Sequence, residues 1–548
     1  MASLEIVLVF LLAVVLSSIV TRMSPVAVPL PLVQIAIGVL ISAVADLGVR
    51  LDPELFFVLF LPPLLFFDSW RVPKENLMRD KVTILALALG LVVFTVVGVG
   101  FFVHWMIPAM PLAVAFALTA IISPTDPVAV TAIAARTPVP NRLLRILEGE
   151  SLLNDASGLV CMRFAVVAVL TGSFSPLAAV GSFLWLAIGG LAVGTVVTVA
   201  VAIAKDWVSR RYGENTESQI LISLLIPFGA YTSAEALGCS GILAAVAAGV
   251  TMSYFEQFGG VLAVTRVRRS SVWETIRFGA SGVIFILLGE QLPDIVTGAA
   301  RVVQETGHRD LAWLAVYVVA INLAVAAVRF AWVWMSLRFL LYRAQSARAT
   351  PFVPSFRLTA AASLAGVRGT VTLAGVLTLP LTLASGEHFP ARDLAIFLAA
   401  GVIIASLLAA AFLLPGLFKG LQFPAELGEE GAEDRARIAA GEAALKAIAG
   451  AQQALCADAD AGAAALYTDA SARVMSTYRR GIEARSKTGE ARDAARALDT
   501  VERRLMLVGS RAERDEINRL ARSGKLSDEA ARRIVREVDL LEARIGGA

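Results

Sequence analysis

The chain has 548 residues, of which 57% are hydrophobic and 17% charged, and its formal net charge at pH 7 is +3. Soluble globular proteins are roughly 45–50% apolar, whereas the apolar residues here form runs of about 20, the length that crosses about 30 Å of hydrocarbon. The composition therefore excludes an ordinary soluble domain and predicts an all-α polytopic membrane protein.

Thirteen hydrophobic segments follow one another along the first three quarters of the chain, and we expect each to form a membrane helix. Their approximate spans are 3–20, 27–45, 53–70, 82–107, 111–135, 141–171, 176–204, 217–237, 240–255, 273–292, 310–341, 356–380 and 391–417. Loops after odd-numbered segments hold 20 Lys and Arg residues, and loops after even-numbered segments hold 4. Positive loops stay in the cytoplasm, so this bias predicts a plasma-membrane protein with its N-terminus outside and its C-terminus inside.

Two of the segments are predicted to be interrupted near their centres. Segment five contains SPTDP at 123–127, where two prolines bracket Thr125 and Asp126 and remove helical hydrogen bonds. Segment twelve contains GVRGT at 366–370, with Arg368 in its middle. The two segments run in opposite directions, which is typical of transporters with inverted repeats and a substrate site where the broken helices cross. We expect segments 1–6 and 8–13 to be the repeats, with a simple proline kink in segment five as the alternative.

Segment six carries acidic residues in the stretch EGESLLND at 148–155, although one charge at mid-bilayer costs about 2.5–3.5 kcal/mol. On a helix, Ser151 and Asp155 share a face and offer hard oxygen ligands of the kind that small cations prefer. The Thr125 hydroxyl and the carbonyls freed by the break in segment five add further ligands. We predict that Asp155 carries the ion or the proton, because burial disfavours its charged form and makes the two compete for it.

The same helix carries a second polar pair that we assign to structural support. Glu150 and Asn154 are four residues apart and occupy the stripe beside Ser151 and Asp155. We predict an ion pair between Glu150 and Arg368, because few other partners exist for an arginine at membrane depth. The sequence does not indicate which residues pair with the other intramembrane arginines.

Together, SPTDP, ESLLND and GVRGT resemble the motifs of the sodium/proton exchangers of the monovalent cation:proton antiporter superfamily, particularly the bacterial members of its NhaP/NHE branch. The resemblance covers about residues 1–420. It implies a homodimer in which each protomer has a scaffold and a mobile core that carries the ion by an elevator-like motion. It also implies a Na⁺ site at Asp155, Ser151 and Thr125, and a role for Asp126 in offsetting the half-helix ends.

Two details of the motifs refine what the resemblance implies. The pair Asn154–Asp155 stands where electrogenic relatives have two aspartates, which implies one cation for one proton, with Asn154 bonded to Glu150. Asp68, in LPPLLFFDSW, comes one residue later than the acid usual in the family, a rotation of about 100° on a helix. We expect Asp68 to line the ion path if Pro62 and Pro63 unwind the helix locally.

The composition changes abruptly after Phe423. Residues 424–548 contain 21 Lys and Arg and 22 Asp and Glu, which predicts a helical cytosolic domain for regulation or dimerisation, separate from the transmembrane exchanger domain at 1–423. One helix of this domain is expected to begin at Ser527. Its apolar stripe would consist of Ile534, Val538, Leu541 and Ile545.

The main functional interpretation is a secondary antiporter, not an enzyme, that exchanges Na⁺, or alternatively Li⁺ or K⁺, for H⁺. A passive cation channel is a weaker alternative because the chain has no TVGYG-like filter. An intramembrane enzyme is weaker still because the chain has neither HExxH nor GxSxG. We expect no cofactor besides the transported Na⁺ and H⁺, and no nucleic-acid partner.

Overall fold

The computed structural model of the chain describes residues 2–24, 28–44, 53–71, 84–126, 130, 141–171, 176–258, 262–305, 312–345, 356–383, 387–419, 429–457, 459–487, 490–523 and 525–546. Over these ranges the backbone is helical, apart from short connections and one isolated bridge between Thr382 and His388. The chain divides into two compact units, residues 1–421 and 422–548.

All thirteen predicted hydrophobic segments coincide with helical structure in the first unit. Its helices are α1 (Ala2–Met23), α2 (Leu30–Val44), α3 (Pro53–Arg71), α4 (Val92–Met106, preceded by a π-helical turn at Ala86–Leu91), α5 (Leu112–Ile122), α6 (Asn141–Thr171), α7 (Pro176–Tyr212), α8 (Thr216–Ala236), α9 (Gly241–Phe258), α10 (Ala263–Glu305), α11 (Ala312–Gln345), α12 (Phe356–Leu364), α13 (Thr370–Leu377) and α14 (Arg392–Phe418). Within the described residues, seven helices are long and apolar enough to cross a membrane. The exact number of crossings stays a prediction.

Helix α10 is much longer than the hydrophobic segment that predicted it. The apolar run at 273–292 accounts for less than half of a helix that begins at Ala263 and ends at Glu305. Hydropathy marks only the apolar part of a helix, whereas arginine is itself a good helix former and continues it through the charged turns. Arg277, which falls within the predicted segment, lies well inside α10.

The prolines of α3 do not unwind it. Pro62 and Pro63 lie inside a continuous helix, contrary to the local unwinding that we expected near Asp68. Tight packing holds the helix at this point: Leu61 and Leu65 are fully buried, and a Cβ on Gly249 of α9 would lie 2.3 Å from the Phe66 carbonyl oxygen. The neighbouring helix therefore approaches α3 closely enough to support its backbone.

The two predicted interruptions are present and lie against each other. Helix α5 ends at Ile122 and is followed by non-helical residues 123–126, while residues 365–369 separate α12 from α13. The backbone N–H of Asp126 donates to the carbonyl of Val367 at 2.6 Å, which joins the two breaks directly. Apart from residue 130, the second half of segment five, from Pro127 to residue 135, lies outside the described residues.

The second unit consists of four helices: α15 (Glu429–Ala457), α16 (Ala461–Ser486), α17 (Glu490–Arg522) and α18 (Asp528–Gly546). Ser527 caps α18 as predicted, because its hydroxyl accepts a hydrogen bond from the Ala530 N–H at 3.3 Å. Ile534 and Val538 of the predicted stripe pack in a small core with Ile517 of α17. Leu541 is wrongly included in the stripe, since it is 48% exposed, and the side chain of Ile545 lies outside the described residues.

Candidate functional site

The predicted ion-binding residues come together because α6 packs closely on the broken end of α5. Gly158 makes this contact possible: a Cβ there would lie 2.5 Å from the Pro124 side chain and 2.8 Å from the Ala120 carbonyl oxygen. The polar face of α6 therefore lies directly beside the break. Ser151 and Asp155 reach the same space as Thr125.

A cavity of about 20 Å³ lies at this junction. A site needs roughly 10–15 Å³ to hold one water molecule, so the cavity accommodates one or two occupants of that size. Its walls provide three carboxylates, five hydroxyls and one guanidinium: Asp68, Asp126, Asp155, Thr125, Ser151, Ser281, Thr370, Thr372 and Arg277. Oxygen-rich walls of this kind suit a hard cation.

All four residues predicted to bind the ion line the cavity, namely Asp155, Ser151, Thr125 and Asp68. Asp126, predicted to support the site, also lines it. Asp68 lines the cavity although α3 stays helical at Pro62 and Pro63. The local unwinding that we expected to be necessary is therefore not required. The other predicted supporting residues, Glu150, Asn154 and Arg368, lie behind the walls of the cavity.

Asp155 is the most unusual carboxylate of the cavity. Only 6% of the residue is exposed, and within the described part of the chain its carboxylate makes no hydrogen bond or ion pair. A buried carboxylate without a partner is costly unless it is neutralised. A proton or a cation in the adjoining cavity would each provide that neutralisation.

The predicted ion pair between Glu150 and Arg368 is wrong. Glu150 is fully buried, and the guanidinium of Arg329 from α11 binds it with both arms: Nη1 donates to Oε1, and Nη2 donates to Oε2 at 2.8 Å. This fork satisfies both carboxylate oxygens. Arg329 therefore takes the role that we had given to Arg368.

Arg368 instead stabilises the end of a broken helix. Its Nε donates to the carbonyl of Ile122, the last residue of α5, at 2.9 Å, and its Nη1 donates to the carbonyl of Gly366. The last carbonyls of a helix lack intrahelical partners and carry the negative end of its dipole. A buried guanidinium at this point donates hydrogen bonds to these carbonyls and places a positive charge beside the negative end of the dipole. This explains why an arginine stands at the centre of an interrupted helix.

Asn154 connects the ion pair to the cavity. Its Nδ2 donates to the Thr125 hydroxyl at 3.0 Å and, more weakly, to Glu150 Oε1 at 3.5 Å. The contact with Glu150 was expected, whereas the stronger contact with Thr125 was not. Asn154 thus positions a cavity hydroxyl through its amide and contributes no charge.

Asp68 has a cationic partner that the sequence did not reveal. Its Oδ1 lies 3.1 Å from Nη2 of Arg277, which also lines the cavity. The sequence analysis did not single out Arg277, although it falls within segment ten at 273–292, because it lies close to the basic residues at 266–269 that resemble a cytosolic loop.

Two other buried or intramembrane charges lie away from the cavity. Arg163 pairs with Glu235 at 2.9 Å, and both side chains are about one third exposed, which suits a structural role near a surface. Glu290 of α10 is buried, with 8% exposure, and the sequence analysis missed it although it interrupts an apolar run. Neither Arg163 nor Glu290 lines the cavity.

The packing of Gly369 provides a direct test of the site geometry. A Cβ at this position would lie 1.8 Å from the Asp126 carboxylate, so Gly369→Ala must displace Asp126 from the cavity wall. We expect the exchange rate to fall at least about tenfold, the effect of only about 1.4 kcal/mol on a barrier. Gly375→Ala, six residues later in α13, is the matched control, because its Cβ would meet only a Leu159 methyl group at 3.1 Å. Equal rates in the two variants would contradict the observed geometry.

Comparisons with known proteins give consistent matches to one family. A family model described as the transmembrane sodium/hydrogen exchanger matches residues 7–420. An uncharacterized Na⁺/H⁺ exchanger of Escherichia coli, YjcE, is 39% identical over 98% of both chains. A sodium, potassium, lithium and rubidium/H⁺ antiporter of Bacillus pumilus is 41% identical over 75% of this chain and 60% of its own length. The sodium proton antiporter MjNhaP1 of Methanocaldococcus jannaschii has the same fold, with a TM-score of 0.57 at 19% identity over 77% of this chain and 99% of its own.

Proposed function

The chain belongs to the sodium/hydrogen exchanger family, and we propose that it exchanges Na⁺ for H⁺ across the plasma membrane, one cation for one proton. One observation carries the proposal most directly: Asp155 is a buried carboxylate that has no partner among the described residues and lies beside a cavity of about 20 Å³. Such a group is stable only when it holds a proton or a cation.

Competition at Asp155 couples the two ions. When Na⁺ occupies the cavity, the Asp155 carboxylate and the hydroxyls of Ser151 and Thr125 replace part of its hydration shell. When the cation leaves, a proton neutralises the same carboxylate, because burial disfavours the bare charge. One carboxylate that takes either ion gives exchange without net movement of charge, and the neutral amide of Asn154 adds no second titrating site.

The contact between the breaks supports an alternating-access mechanism. We propose that α5, α6, α12 and α13 move together as an elevator-like core, because the bond from Asp126 to Val367 and the contacts of Arg368 tie their polar centre into one body. The homodimer, the external N-terminus and the cytoplasmic C-terminus belong to the same proposal. They rest on the motif resemblance and on the positive-charge bias of the predicted loops.

K⁺/H⁺ exchange is the second candidate. The Bacillus pumilus relative and a relative in Bacillus subtilis, 40% identical over 414 residues, are both named as antiporters of sodium, potassium, lithium and rubidium. A cavity walled mainly by flexible hydroxyls and carboxylates has no rigid ring of carbonyls to select one radius. We therefore include Li⁺ and K⁺ among the cations to be tested.

Proton flux in proteoliposomes tests the function. The purified full-length protein is reconstituted with an imposed pH gradient and a pH-sensitive dye, and Na⁺, Li⁺ or choline is added with the membrane potential clamped by K⁺ and valinomycin. K⁺ is tested separately with a different clamp. We expect alkali cations, but not choline, to collapse the gradient at a rate that does not depend on the clamp. A rate that requires the clamp would disprove electroneutrality, and no collapse with any cation would disprove exchange.

A further inference from the structure

We infer that Arg277 is a tethered competitor of the transported cation. Its guanidinium holds Asp68 at the more exposed end of the cavity, lowers the affinity of the site for the incoming ion and thereby allows the ion to be released. This inference rests on the proposed exchange function. It assigns control of cation affinity to an arginine outside the motifs that identify the family.

The pair of Asp68 and Arg277 is more exposed to solvent than Asp155. The side chains of Asp68 and Arg277 are 32% and 24% exposed, whereas Asp155 is only 6% exposed. Asp68 is also three residues from Arg71, the exposed last residue of α3. All three side chains line the same small cavity, so a cation bound at Asp155 lies close to the Arg277 guanidinium.

Aromatic packing fixes the pair in place. Trp273 of α10 stacks on Phe67 of α3 with ring centroids 5.7 Å apart and an interplanar angle of 7°. The Trp273 indole also donates to the Ser223 hydroxyl at 3.1 Å. Asp68 follows Phe67 directly, and Arg277 stands one helical turn after Trp273. The stacked rings therefore set the register that brings carboxylate and guanidinium to 3.1 Å.

The position of Asp68 accounts for its partner. The acid comes one residue later than in the family pattern, which rotates it by about 100° around α3. In this position it contacts an arginine on α10 while still lining the cavity. The shifted acid and Arg277 thus form one unit in this chain.

The charges of the cavity explain why a competitor is useful. Three carboxylates and one guanidinium line it, so the loss of the guanidinium would make the site more negative by one charge. A more negative site binds a cation more tightly but also releases it more slowly, and transport requires both steps. The positive charge of Arg277 therefore keeps the affinity of the cavity low enough for the bound cation to be released.

A structural role for the pair makes a different prediction. If Arg277 only holds α3 to α10, its loss and the loss of Asp68 should both lower activity through the same defect. If Arg277 competes with the cation, the two substitutions should shift the KM in opposite directions. Arg277→Gln leaves an extra negative charge in the cavity, whereas Asp68→Asn leaves an extra positive charge.

The test measures the KM and kcat for Na⁺ in proteoliposomes at one fixed pH. We expect Arg277→Gln to lower the KM on the order of tenfold, because it removes one positive charge close to a partly buried cation site. It should also lower kcat, because a more tightly bound cation is released more slowly. Asp68→Asn should raise the KM, and the double variant should return it towards the wild-type value. Arg277→Lys, which keeps the charge, should stay near wild type.

Arg210→Gln is the matched control. Arg210 pairs with Asp206 at 2.8 Å on α7, its side chain is 80% exposed, and it does not line the cavity. It should leave the KM unchanged. Active wild-type protein with an unchanged or raised KM in Arg277→Gln would overturn this inference alone. Wild-type protein without any cation-dependent proton flux would overturn the exchange function and the inference with it.

Discussion

We expect Asp155→Asn to abolish cation-dependent proton exchange while the protein stays folded. The substitution removes the one carboxylate of the cavity that is both buried and without a partner in the described chain. An amide neither carries a proton across the transport cycle nor offsets the charge of a bound cation. We expect the proton flux of the reconstituted variant to fall to the level of protein-free liposomes. Its melting temperature in detergent should not decrease, because a buried unpaired charge is itself destabilising.

Asp206→Asn serves as the matched control for this prediction. It makes the same chemical change at an exposed residue of α7, which pairs with Arg210 at 2.8 Å outside the cavity. Its exchange rate should equal that of the wild type. Robust exchange by Asp155→Asn would show that another cavity carboxylate, Asp126 or Asp68, carries the ion.

Arg329→Met is expected to cause the largest loss of stability. It leaves Glu150 fully buried and without the guanidinium that binds both of its oxygens. Removing one partner of a buried ion pair costs about 3–5 kcal/mol, because the remaining charge is uncompensated. The melting temperature of the purified protein should therefore fall markedly. The double variant Glu150→Gln/Arg329→Met should recover much of the loss, since no buried charge is then left alone.

Arg368→Met distinguishes the observed pairing from the one first predicted. Arg368 binds the carbonyls of Ile122 and Gly366 and leaves the pair of Glu150 and Arg329 intact. Its loss should cost about 1–3 kcal/mol for the unsatisfied carbonyls. Adding Glu150→Gln should not rescue it. Rescue of Arg368→Met by Glu150→Gln, with no rescue of Arg329→Met, would restore the original assignment.

Local sequence was sufficient to predict the elements of the site. Prolines at 124 and 127 and glycines at 366 and 369 weaken a helix wherever they stand, so both interruptions were predictable. The spacing of Ser151 and Asp155 places them on one face of any α-helix. Both features depend on backbone geometry within a few residues, which neighbouring helices do not change.

Hydropathy predicted the ends of a helix less reliably where the helix continues into charged residues. It began segment ten too late, because the arginines at the start of α10 lower hydropathy without ending a helix. Arg277 falls inside the predicted segment, but hydropathy does not show which acid an arginine faces. The structure places it 3.1 Å from Asp68.

The sequence by itself predicted a helical membrane protein, the two broken helices and five side chains of the cavity, but not Ser281, Thr370 and Thr372. Only the tertiary structure decided which arginine serves which acid. Arg329 and Arg368 have the same chemistry, and Arg329 is 179 residues from Glu150 along the chain. The choice depends on how α11 passes α6 and on where the last carbonyls of α5 lie, because a guanidinium pairs with whatever acceptors long-range packing brings within about 3 Å.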